Sequence, residues 1–382
     1  MENADFKARA LDIMPKSLFI FDDDLNVVYC NHSFEVAFGV KCGKFSTVGE
    51  GISCENFVLN QSCEQSPDCL SCHLSEALRR CIAQKSEMLS RNFSKTIVTR
   101  VGSRRMDMVL NVRPIDERHY LCLIDDITES EDKKSRERRK EIKLFRDLDK
   151  AKEIQSSFLP VKKGLERLCD FTYYYRQQFK VGGDFFNVYK INDHTFGAYI
   201  ADVSGAGMSG GMLTVFLREN FDTSQSSPAA ALSALSGHFN RLNLSEESYI
   251  TVFAVVVDIR SRTIAYCNAG HNQPMLLRRG ANVLPFIMDG RPVCSWYEDL
   301  SYKDSYTEFS RGDVLAFYTD GITEMRDEQG AFYGENRVMD ELMRGKDIYA
   351  TLRSITDSLT DFNGGKSLDE DDLTVLLIDL KH

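Results

Sequence analysis

Two aspartates within residues 181–211 have the residue type and spacing of a cation site. Asp184 follows Val-Gly-Gly, and Asp202 follows the run Phe-Gly-Ala-Tyr-Ile-Ala and precedes Val-Ser-Gly. The apolar run at residues 196–203 predicts a buried strand that ends where serine and glycine begin. A carboxylate at the end of a buried strand is costly unless a cation meets it, and a divalent metal with oxygen ligands is the simplest solution. Each aspartate taken alone is equally compatible with a turn.

Two more acidic positions repeat this pattern further along the chain. Asp320 follows Val-Leu-Ala-Phe-Tyr-Thr and precedes glycine, and Asp371 and Asp372 stand directly before Leu-Thr-Val-Leu-Leu-Ile. Four strand-end acid sites in one segment are hard to explain by turn chemistry alone. The repetition therefore favours a shared cation site over ordinary turns.

The elements that must position these acids alternate between strands and helices. Apolar and β-branched runs predict strands at residues 196–203, 249–259, 263–268, 314–319 and 373–380. Helical patterns lie between them at residues 208–221, 229–242 and 335–343.

Composition sets the broad class. A chain of 382 residues is long for one core and predicts two or three units, and 43% hydrophobic residues are typical of a soluble globular protein. The net charge of −10 argues against nonspecific binding to nucleic acid. Because there is neither an apolar run of bilayer length nor a signal-peptide core, we expect a cytoplasmic protein without a membrane partner. Disulfides are not expected in that compartment, although the chain has 11 cysteines.

The first predicted unit covers residues 5–128. Two short strands at residues 18–21 and 27–29 precede a short helix, and strands at residues 93–100, 105–112 and 120–124 follow. This order predicts a small antiparallel α+β sensor domain. The opening DIMPKSLFIFDDDLNVVYCNHSFEVAFG and the closing LCLIDDITE resemble the PAS family over nearly the whole segment.

A cysteine-rich insertion at residues 42–81 departs from an ordinary PAS domain. Cys54, Cys63, Cys69 and Cys72 could close a tetrahedral Zn²⁺ site or hold an iron–sulfur cluster. The insertion is similar to one seen in some bacterial PAS domains. The alternatives are reduced, buried thiols and reversible thiol oxidation. Core positions are predicted for Cys30, Cys122, Cys169, Cys267 and Cys294.

Residues 129–160 predict one long linker helix, because they contain no glycine and only a terminal proline. Its possible coiled-coil seam has 4-3-4-3 spacing and consists of Leu144, Leu148, Ala151, Gln155 and Phe158. We expect this seam to pair two chains in a homodimer, with the polar Gln155 fixing the register. The alternative is a single amphipathic helix that packs on its own domain.

The third predicted unit, residues 161–382, carries a specific resemblance. VGGDFF, ADVSGAG, NAGHNQP, GDVLAFYTDGITE and DEDDLTVLLI resemble, in order and spacing, the motifs of the SpoIIE-like branch of the PPM metal-dependent serine/threonine phosphatases. The resemblance covers residues 155–380. It implies an α-β-β-α sandwich, with two antiparallel sheets packed face to face and helices outside, and a centre that binds two Mn²⁺ or Mg²⁺ ions.

The same resemblance implies roles for individual residues. Asp184 and Asp202 match the first two metal ligands, with the carbonyl of Val203 as a further ligand. Asp320 and Asp371 match the third and fourth acids, and Asp372 would support them. Outside this set, His271 could be a general acid or a structural imidazole, and Arg176 could contact phosphate or be an ordinary surface arginine.

The implied activity is hydrolysis of phosphoserine or phosphothreonine on a partner protein, under control of the PAS-like domain. By resemblance, the partner is expected to be an anti-sigma-factor antagonist or a similar STAS-domain protein. The alternative is a noncatalytic sensor or scaffold whose phosphatase fold has lost turnover. Retention of all four acid positions favours the enzyme.

Overall fold

The computed structural model describes residues 9–60, 72–84, 89–99, 102–271, 276–279, 282–297, 300–365 and 371–381. The chain divides into two compact units, Met1–Ile142 and Lys143–His382. Among the described residues, no helix combines the length and the apolar character needed to cross a bilayer.

The first unit contains a five-stranded antiparallel sheet, in agreement with the predicted strands. The strands are β1 (Ser17–Asp22), β2 (Val27–Cys30), β3 (Leu89–Thr99), β4 (Gly102–Pro114) and β5 (His119–Asp126). Their order across the sheet is β2-β1-β5-β4-β3. The helices whose bounds the structure describes are α1 (His32–Phe38), α2 (Val48–Gly51), α3 (Glu55–Asn60) and α4 (His73–Gln84).

A buried asparagine organises the start of this unit. The Asn31 side chain caps α1 by accepting a hydrogen bond from the Phe34 N–H, and it also accepts one from the Leu18 N–H. Its amide group donates to the Lys16 carbonyl at 2.9 Å. Because these groups are satisfied inside the protein, the polar side chain can be fully buried beside the aromatic core.

The long helix α5 (Thr128–Ser157) confirms the predicted helix within a few residues of its ends. It begins in the first unit, and from Lys143 onward it belongs to the second. In the second unit Asp149 forms an ion pair with Lys180, whose ammonium lies 4.4 Å from the centroid of the Phe145 ring. This half of the helix therefore packs on its own unit, as the single-helix alternative predicts.

The coiled-coil role predicted for Gln155 is wrong, because this side chain is buried in its own chain. It donates hydrogen bonds to the Gly182 carbonyl at 2.9 Å and to Thr214 Oγ1 at 2.8 Å. The Gly182 N–H in turn donates to Gln155 Oε1 at 3.2 Å. A side chain that is 1% exposed cannot also set the register of a partner helix. The predicted seam at residues 144–158 thus includes Leu144, which is exposed, and Gln155, which contacts other residues of its own chain.

The second unit has two antiparallel sheets. The first sheet consists of β7 (Asp184–Lys190), β8 (Thr195–Val203), β9 (Tyr249–Asp258), β10 (Thr263–Ala269), β13 (Val293–Cys294) and β14 (Ser305–Glu308). Its order is β14-β10-β9-β8-β7, with β13 paired to β9. The second sheet consists of β6 (Asp170–Arg176), β11 (Leu276–Arg279), β12 (Asn282–Pro285), β15 (Asp313–Tyr318) and β16 (Leu373–Leu380). Its order is β12-β11-β15-β16-β6.

Helices cover the outer faces of both sheets. They are α6 (Met208–Asn220), α7 (Pro228–Asn240), α8 (Asp320–Thr323), α9 (Glu335–Arg344) and α10 (Ile348–Phe362). Phe186, Phe253 and Leu376 belong to the apolar core between the sheets. Separate cores lie beneath α6 and α7 and beneath α9 and α10. This layering confirms the predicted α-β-β-α sandwich. The five cysteines predicted as core residues are also buried.

Candidate active site

Asp184 and Asp202 stand opposite each other in the ladder between β7 and β8. Asp184 opens β7, and Asp202 is the second-last residue of β8. Like charges directly opposite each other on neighbouring strands are destabilising. The fold therefore brings together the two aspartates that the sequence singled out, and it does so in an arrangement that favours a bound cation.

Asp184 also links the two sheets. Its Oδ2 atom accepts hydrogen bonds from Thr319 Oγ1 at 2.7 Å and from Thr374 Oγ1 at 2.6 Å. Thr319 follows β15 and Thr374 lies in β16, so both hydroxyls come from the sheet opposite Asp184. Both donors use Oδ2, and Oδ1 accepts no hydrogen bond from the described residues. Oδ2 is therefore fixed by the opposite sheet, and Oδ1 is the oxygen available as a metal ligand.

The remaining acids lie at the ends of two adjacent strands. Asp320 begins α8 just after β15, and Asp371 and Asp372 precede β16. The Thr319 N–H donates to the Thr374 carbonyl at 3.1 Å, which continues the pairing of these strands toward the acids. Gly321 is required here, because a Cβ at this position would lie 2.1 Å from the Asp372 carbonyl oxygen.

Asp372 supports the backbone around Asp184, as the resemblance implies. Its Oδ2 atom accepts hydrogen bonds from the Gly183 N–H at 2.6 Å and the Asp184 N–H at 3.2 Å. Its Oδ1 atom accepts one from the Gln178 N–H at 2.7 Å. A Cβ on Gly182 would lie 2.4 Å from Oδ2, so the carboxylate can approach only a glycine.

The acids share one electrostatic field. Burial raises the pKa of Asp202 to about 7, with further contributions from Asp320, Asp371 and Asp372. Burial, followed by repulsion from Asp202 and Asp372, raises the pKa of Asp184 well above its usual range. Burial also raises the pKa of Asp371, and Asp320 adds to this increase. Among the residues that the structure describes, no cationic side chain is one of the main influences on the pKa of Asp184 or Asp202.

These residues fit a hard divalent cation in chemical type. Carboxylate and carbonyl oxygens are the ligands that Mg²⁺ and Mn²⁺ prefer. The Val203 carbonyl oxygen would lie 2.9 Å from a Cβ on Gly183, so glycine also leaves this predicted ligand open to approach. Within the ranges the structure describes, the acids do not by themselves form a cage of three or more metal-ligating side chains.

His271 connects β9, which pairs with the strand that carries Asp202, to β15, which precedes Asp320. Its Nε2 atom lies 3.1 Å from the Tyr318 carbonyl, and its Nδ1 atom lies 3.3 Å from Thr251 Oγ1. Nε2 must carry the proton, because a carbonyl oxygen can only accept. Burial lowers the pKa of His271, which keeps the ring neutral. This geometry favours the structural imidazole over the general acid.

An arginine that the sequence analysis did not predict lines a cavity together with Asp371. A cavity of about 160 Å³ is lined by Gly321, Glu324, Met325, Arg326, Asn363, Asp371 and Leu373. The Arg326 guanidinium lies 4.6 Å from the centroid of the Phe332 ring, and the two residues form a β-bridge. Arg326 follows Asp320 by only six positions, but its sequence does not reveal that a hairpin turns it back toward Asp371. By contrast, Arg176 ends β6 opposite Leu373.

The thiol site predicted in the first unit is only partly described. Cys54 and Cys72 line the same cavity, whose volume is about 510 Å³. Cys63 and Cys69 lie outside the described residues. The structure thus brings two of the four predicted thiols to one cavity.

Comparisons with known proteins agree with the fold of the second unit. Residues 192–381 match the family described as Stage II sporulation protein E (SpoIIE). The chain is 28% identical over 187 residues to phosphoserine phosphatase RsbP of Bacillus subtilis (strain 168), covering 47% of this chain and 45% of RsbP. It is 23% identical over 189 residues to phosphoserine phosphatase RsbU of the same organism, covering 48% of this chain and 55% of RsbU. The chain thus spans about half the length of these curated relatives.

A solved structure shows the same architecture. The SiaA-PP2C domain of Pseudomonas aeruginosa aligns with a TM-score of 0.56 at 22% identity, covering 63% of this chain and 98% of that domain. At this level of identity the likeness establishes the fold alone. The second unit of this chain therefore has the fold of that PP2C domain, and residues 192–381 within it are similar to the SpoIIE family.

Proposed function

We propose that this protein is a metal-dependent protein serine/threonine phosphatase that hydrolyses phosphoserine or phosphothreonine on a partner protein. The observation that carries the proposal is the gathering of strand-end acids from both sheets into one field. Asp184 and Asp202 are paired across β7 and β8, and Asp320 and Asp371 both raise the pKa of Asp202. A noncatalytic scaffold has no need to keep these mutually repelling carboxylates together. The arrangement therefore supports the proposal that the protein is an enzyme.

Two Mn²⁺ or Mg²⁺ ions would be held by the carboxylates of Asp184, Asp202, Asp320 and Asp371 and by the Val203 carbonyl. When bound, such ions neutralise a phosphate dianion and lower the pKa of a water that attacks it in line. The chain's own contribution is positioning. Thr319 and Thr374 fix one oxygen of Asp184, and Asp372 holds the backbone of Gly183 and Asp184.

Arg326 is the residue we assign to the phosphate. Acids repel a phosphorylated substrate, and a guanidinium at the rim of their cavity can form paired hydrogen bonds with phosphate oxygens. Stacking on Phe332 restricts the side chain before the substrate arrives. The hairpin is further fixed by the Tyr333 N–H, which donates to the Met325 carbonyl at 2.8 Å.

The partner and the mode of control are also proposals. RsbP and RsbU are named phosphoserine phosphatases, and the family resemblance suggests an anti-sigma-factor antagonist or a similar STAS-domain protein as the partner. The first unit would act as a PAS-like sensor that reaches the phosphatase through α5. Exposed apolar residues on this helix, including Ile142 and Leu144, support a homodimer.

A metal or cluster on the thiols of the first unit is a separate proposal. The shared cavity of Cys54 and Cys72 supports a site that Cys63 and Cys69 would complete. Metal analysis and an absorption spectrum of anaerobically purified protein test it. Protein without zinc or iron would leave the reduced or oxidisable thiols as the correct interpretation.

The decisive test of the enzyme is to replace Asp202 and Asp320 separately by Asn. We expect each change to reduce Mn²⁺-dependent hydrolysis of a phosphoserine peptide by at least ~100-fold, because each removes a charge that holds the reacting centre. Asp193→Asn is the matched control, since Asp193 is exposed and forms an ion pair with Lys190 away from the four acids. Circular dichroism verifies the fold of each variant. Near-normal turnover in both site variants contradicts the assignment.

A further inference from the structure

Two cysteines of the first unit are in contact, although they lie 12 positions apart in the chain. The Cys30 N–H donates a hydrogen bond to Cys42 Sγ at 3.1 Å. Both are free thiols, and one is buried while the other is exposed. The phosphatase site uses neither residue, and both lie outside the four thiols considered for metal binding.

The local structure holds this contact in place from both sides. Cys30 ends β2, and the next residue is the buried Asn31 that caps α1. On the other side, the Cys42 N–H donates to Glu35 Oε1 at 2.8 Å, which ties the segment after α1 back to the helix. Gly39 ends the helix in the left-handed conformation with φ of 68°. A covalent bond between the sulfurs would therefore join two segments that are already fixed beside each other.

The exposure of the two thiols differs in a way that suits a stepwise reaction. Cys42 lies in an open groove together with Asp12, Tyr29, His32 and Glu35, so a small polar oxidant can reach it. Cys30 is only 3% exposed, and burial together with the hydrogen bond to Cys42 raises the pKa of its thiol. Cys42 is thus the thiol that meets the oxidant, and Cys30 is the neighbour that resolves the product.

We propose that Cys30 and Cys42 form a reversible oxidation site that closes to an intramolecular disulfide in the presence of a hydroperoxide. In the first step the Cys42 thiolate attacks one oxygen of the peroxide, the O–O bond breaks, hydroxide leaves and takes up a proton to become water, and Cys42 becomes a sulfenic acid. In the second step the Cys30 sulfur attacks the Cys42 sulfur, and the sulfenic oxygen leaves as water. The net reaction converts two thiols and one hydrogen peroxide to one disulfide and two waters. A dithiol reductant reverses it.

A second pair of thiols provides an internal control. Cys81 and Cys122 both belong to the buried core of this unit, and each is 0% exposed. Since neither is accessible to a polar oxidant, we expect this pair to stay reduced in the folded protein under conditions that oxidise Cys30 and Cys42. Oxidation of Cys30 and Cys42 without oxidation of Cys81 and Cys122 distinguishes a specific oxidation site from general thiol oxidation.

The experiment uses the full chain, reduced and then freed of reductant. After treatment with hydrogen peroxide, free thiols are alkylated and the protein is digested and mapped by mass spectrometry. We expect a cross-linked product that contains Cys30 and Cys42, with a mass lower by two hydrogens than the reduced pair. Treatment with dithiothreitol should restore both thiols. Cys122→Ser should leave this product unchanged, and Cys42→Ser should abolish it.

Several outcomes would overturn the proposal. Recovery of Cys30 and Cys42 as alkylated thiols after oxidation shows that the site does not close. A Cys42 sulfinic acid without a disulfide shows that Cys30 does not resolve the intermediate. Equal or greater cross-linking of Cys42 to another cysteine shows that the pair is not selective. Because the cross-link is mapped in the wild-type protein, the test does not depend on the folding of a Cys30 variant or on phosphatase activity.

Discussion

At the residue scale, the central feature is a carboxylate that stays partly protonated near neutral pH unless a cation is present. Asp202 lies opposite Asp184 and within the field of Asp320 and Asp371, and its pKa is raised to about 7. In the unfolded chain the same group titrates near 3.8. The folded protein without metal therefore binds protons at this site over a pH range in which the unfolded chain has released them.

This difference predicts how pH affects the metal-free protein. Between pH values near 4 and 7, the native state binds more protons than the unfolded state, so stability should fall as pH rises through this range. In EDTA, we expect a lower unfolding temperature at pH 8 than at pH 5.5. Asp202→Asn should make the dependence shallower, whereas Asp193→Asn should leave it unchanged. Thermal unfolding followed by circular dichroism measures this, and identical slopes for wild type and Asp202→Asn would be inconsistent with the raised pKa.

A second prediction at this scale concerns Arg326. Loss of a charge-assisted hydrogen bond of about 1.5–3 kcal/mol should raise KM for a phosphoserine peptide by roughly 10-fold or more in Arg326→Ala, with a smaller change in kcat. Arg326→Lys should recover part of the loss, because it keeps the charge but not the paired geometry. Arg311→Ala, at an exposed position, is the control. If the wild type is active and KM does not change in Arg326→Ala, Arg326 has no role in binding phosphate.

The sequence predicted the acids better than their supports. Asp184, Asp202, Asp320 and Asp371 are visible because each interrupts or ends an apolar run. Thr319 and Thr374 are not, because a threonine at a strand end has no distinctive pattern until tertiary structure places it opposite Asp184. Arg326 was not predictable for a similar reason, because its approach to Asp371 depends on a hairpin.

At the element scale, α5 contains one polar residue, Gln155, in an otherwise apolar pattern, and the sequence alone led to the wrong role for it. The spacing of Leu144, Leu148, Ala151 and Phe158 is correct for a helix with one apolar face. Pattern alone does not reveal whether that face meets a second chain or the helix's own unit. Long strands such as β8 and β16 were predictable from their apolar runs, whereas the short hairpin β11–β12 carries too few residues for a periodic signal.

The contacts of Gln155 predict a link between this helix and the acids. Gln155→Ala leaves buried polar groups of Gly182 and Thr214 without their partner, so the free energy of unfolding of the second unit should fall by about 1–3 kcal/mol. Because Gly182 lies two residues before Asp184, turnover at limiting Mn²⁺ should fall as well. Denaturant unfolding and a phosphatase assay on the same samples measure both effects. The exposed Glu153→Ala is the control on the same helix, and unchanged stability and turnover in Gln155→Ala would show that the contact is dispensable.

At the scale of the whole molecule, the two units have separate hydrophobic cores. The described members of the buried cluster of the first unit lie within residues 19–124, and those of the second unit's clusters lie within residues 165–380. The boundary between the units falls inside α5, between Ile142 and Lys143, rather than after the helix. The sequence could not place this boundary, because helix composition changes little across it.

This boundary predicts that two fragments will differ. A fragment of residues 143–382 retains Gln155 and its contacts, and we expect it to fold and to hydrolyse a phosphopeptide with Mn²⁺. A fragment of residues 161–382 lacks them, and its apparent Mn²⁺ affinity should be at least ~10-fold weaker, as for the loss of other groups that orient metal ligands. Mn²⁺ titrations of activity and of thermal stability make the comparison. Equal Mn²⁺ affinity in both fragments would assign α5 no part in forming the site.

The place of β16 within its sheet has a consequence for how the second unit is made. β16 lies between β15 and β6, and Asp372 reaches back across 194 positions to the Gln178 N–H. During synthesis, β6 therefore cannot pair with β16 until nearly 200 further residues have been added. Pairing over such a separation is slow because a long loop must close first. Asp371 and Asp372 can join Asp184 and Asp202 only after that closure, so the proposed metal site is completed as one of the last events of folding.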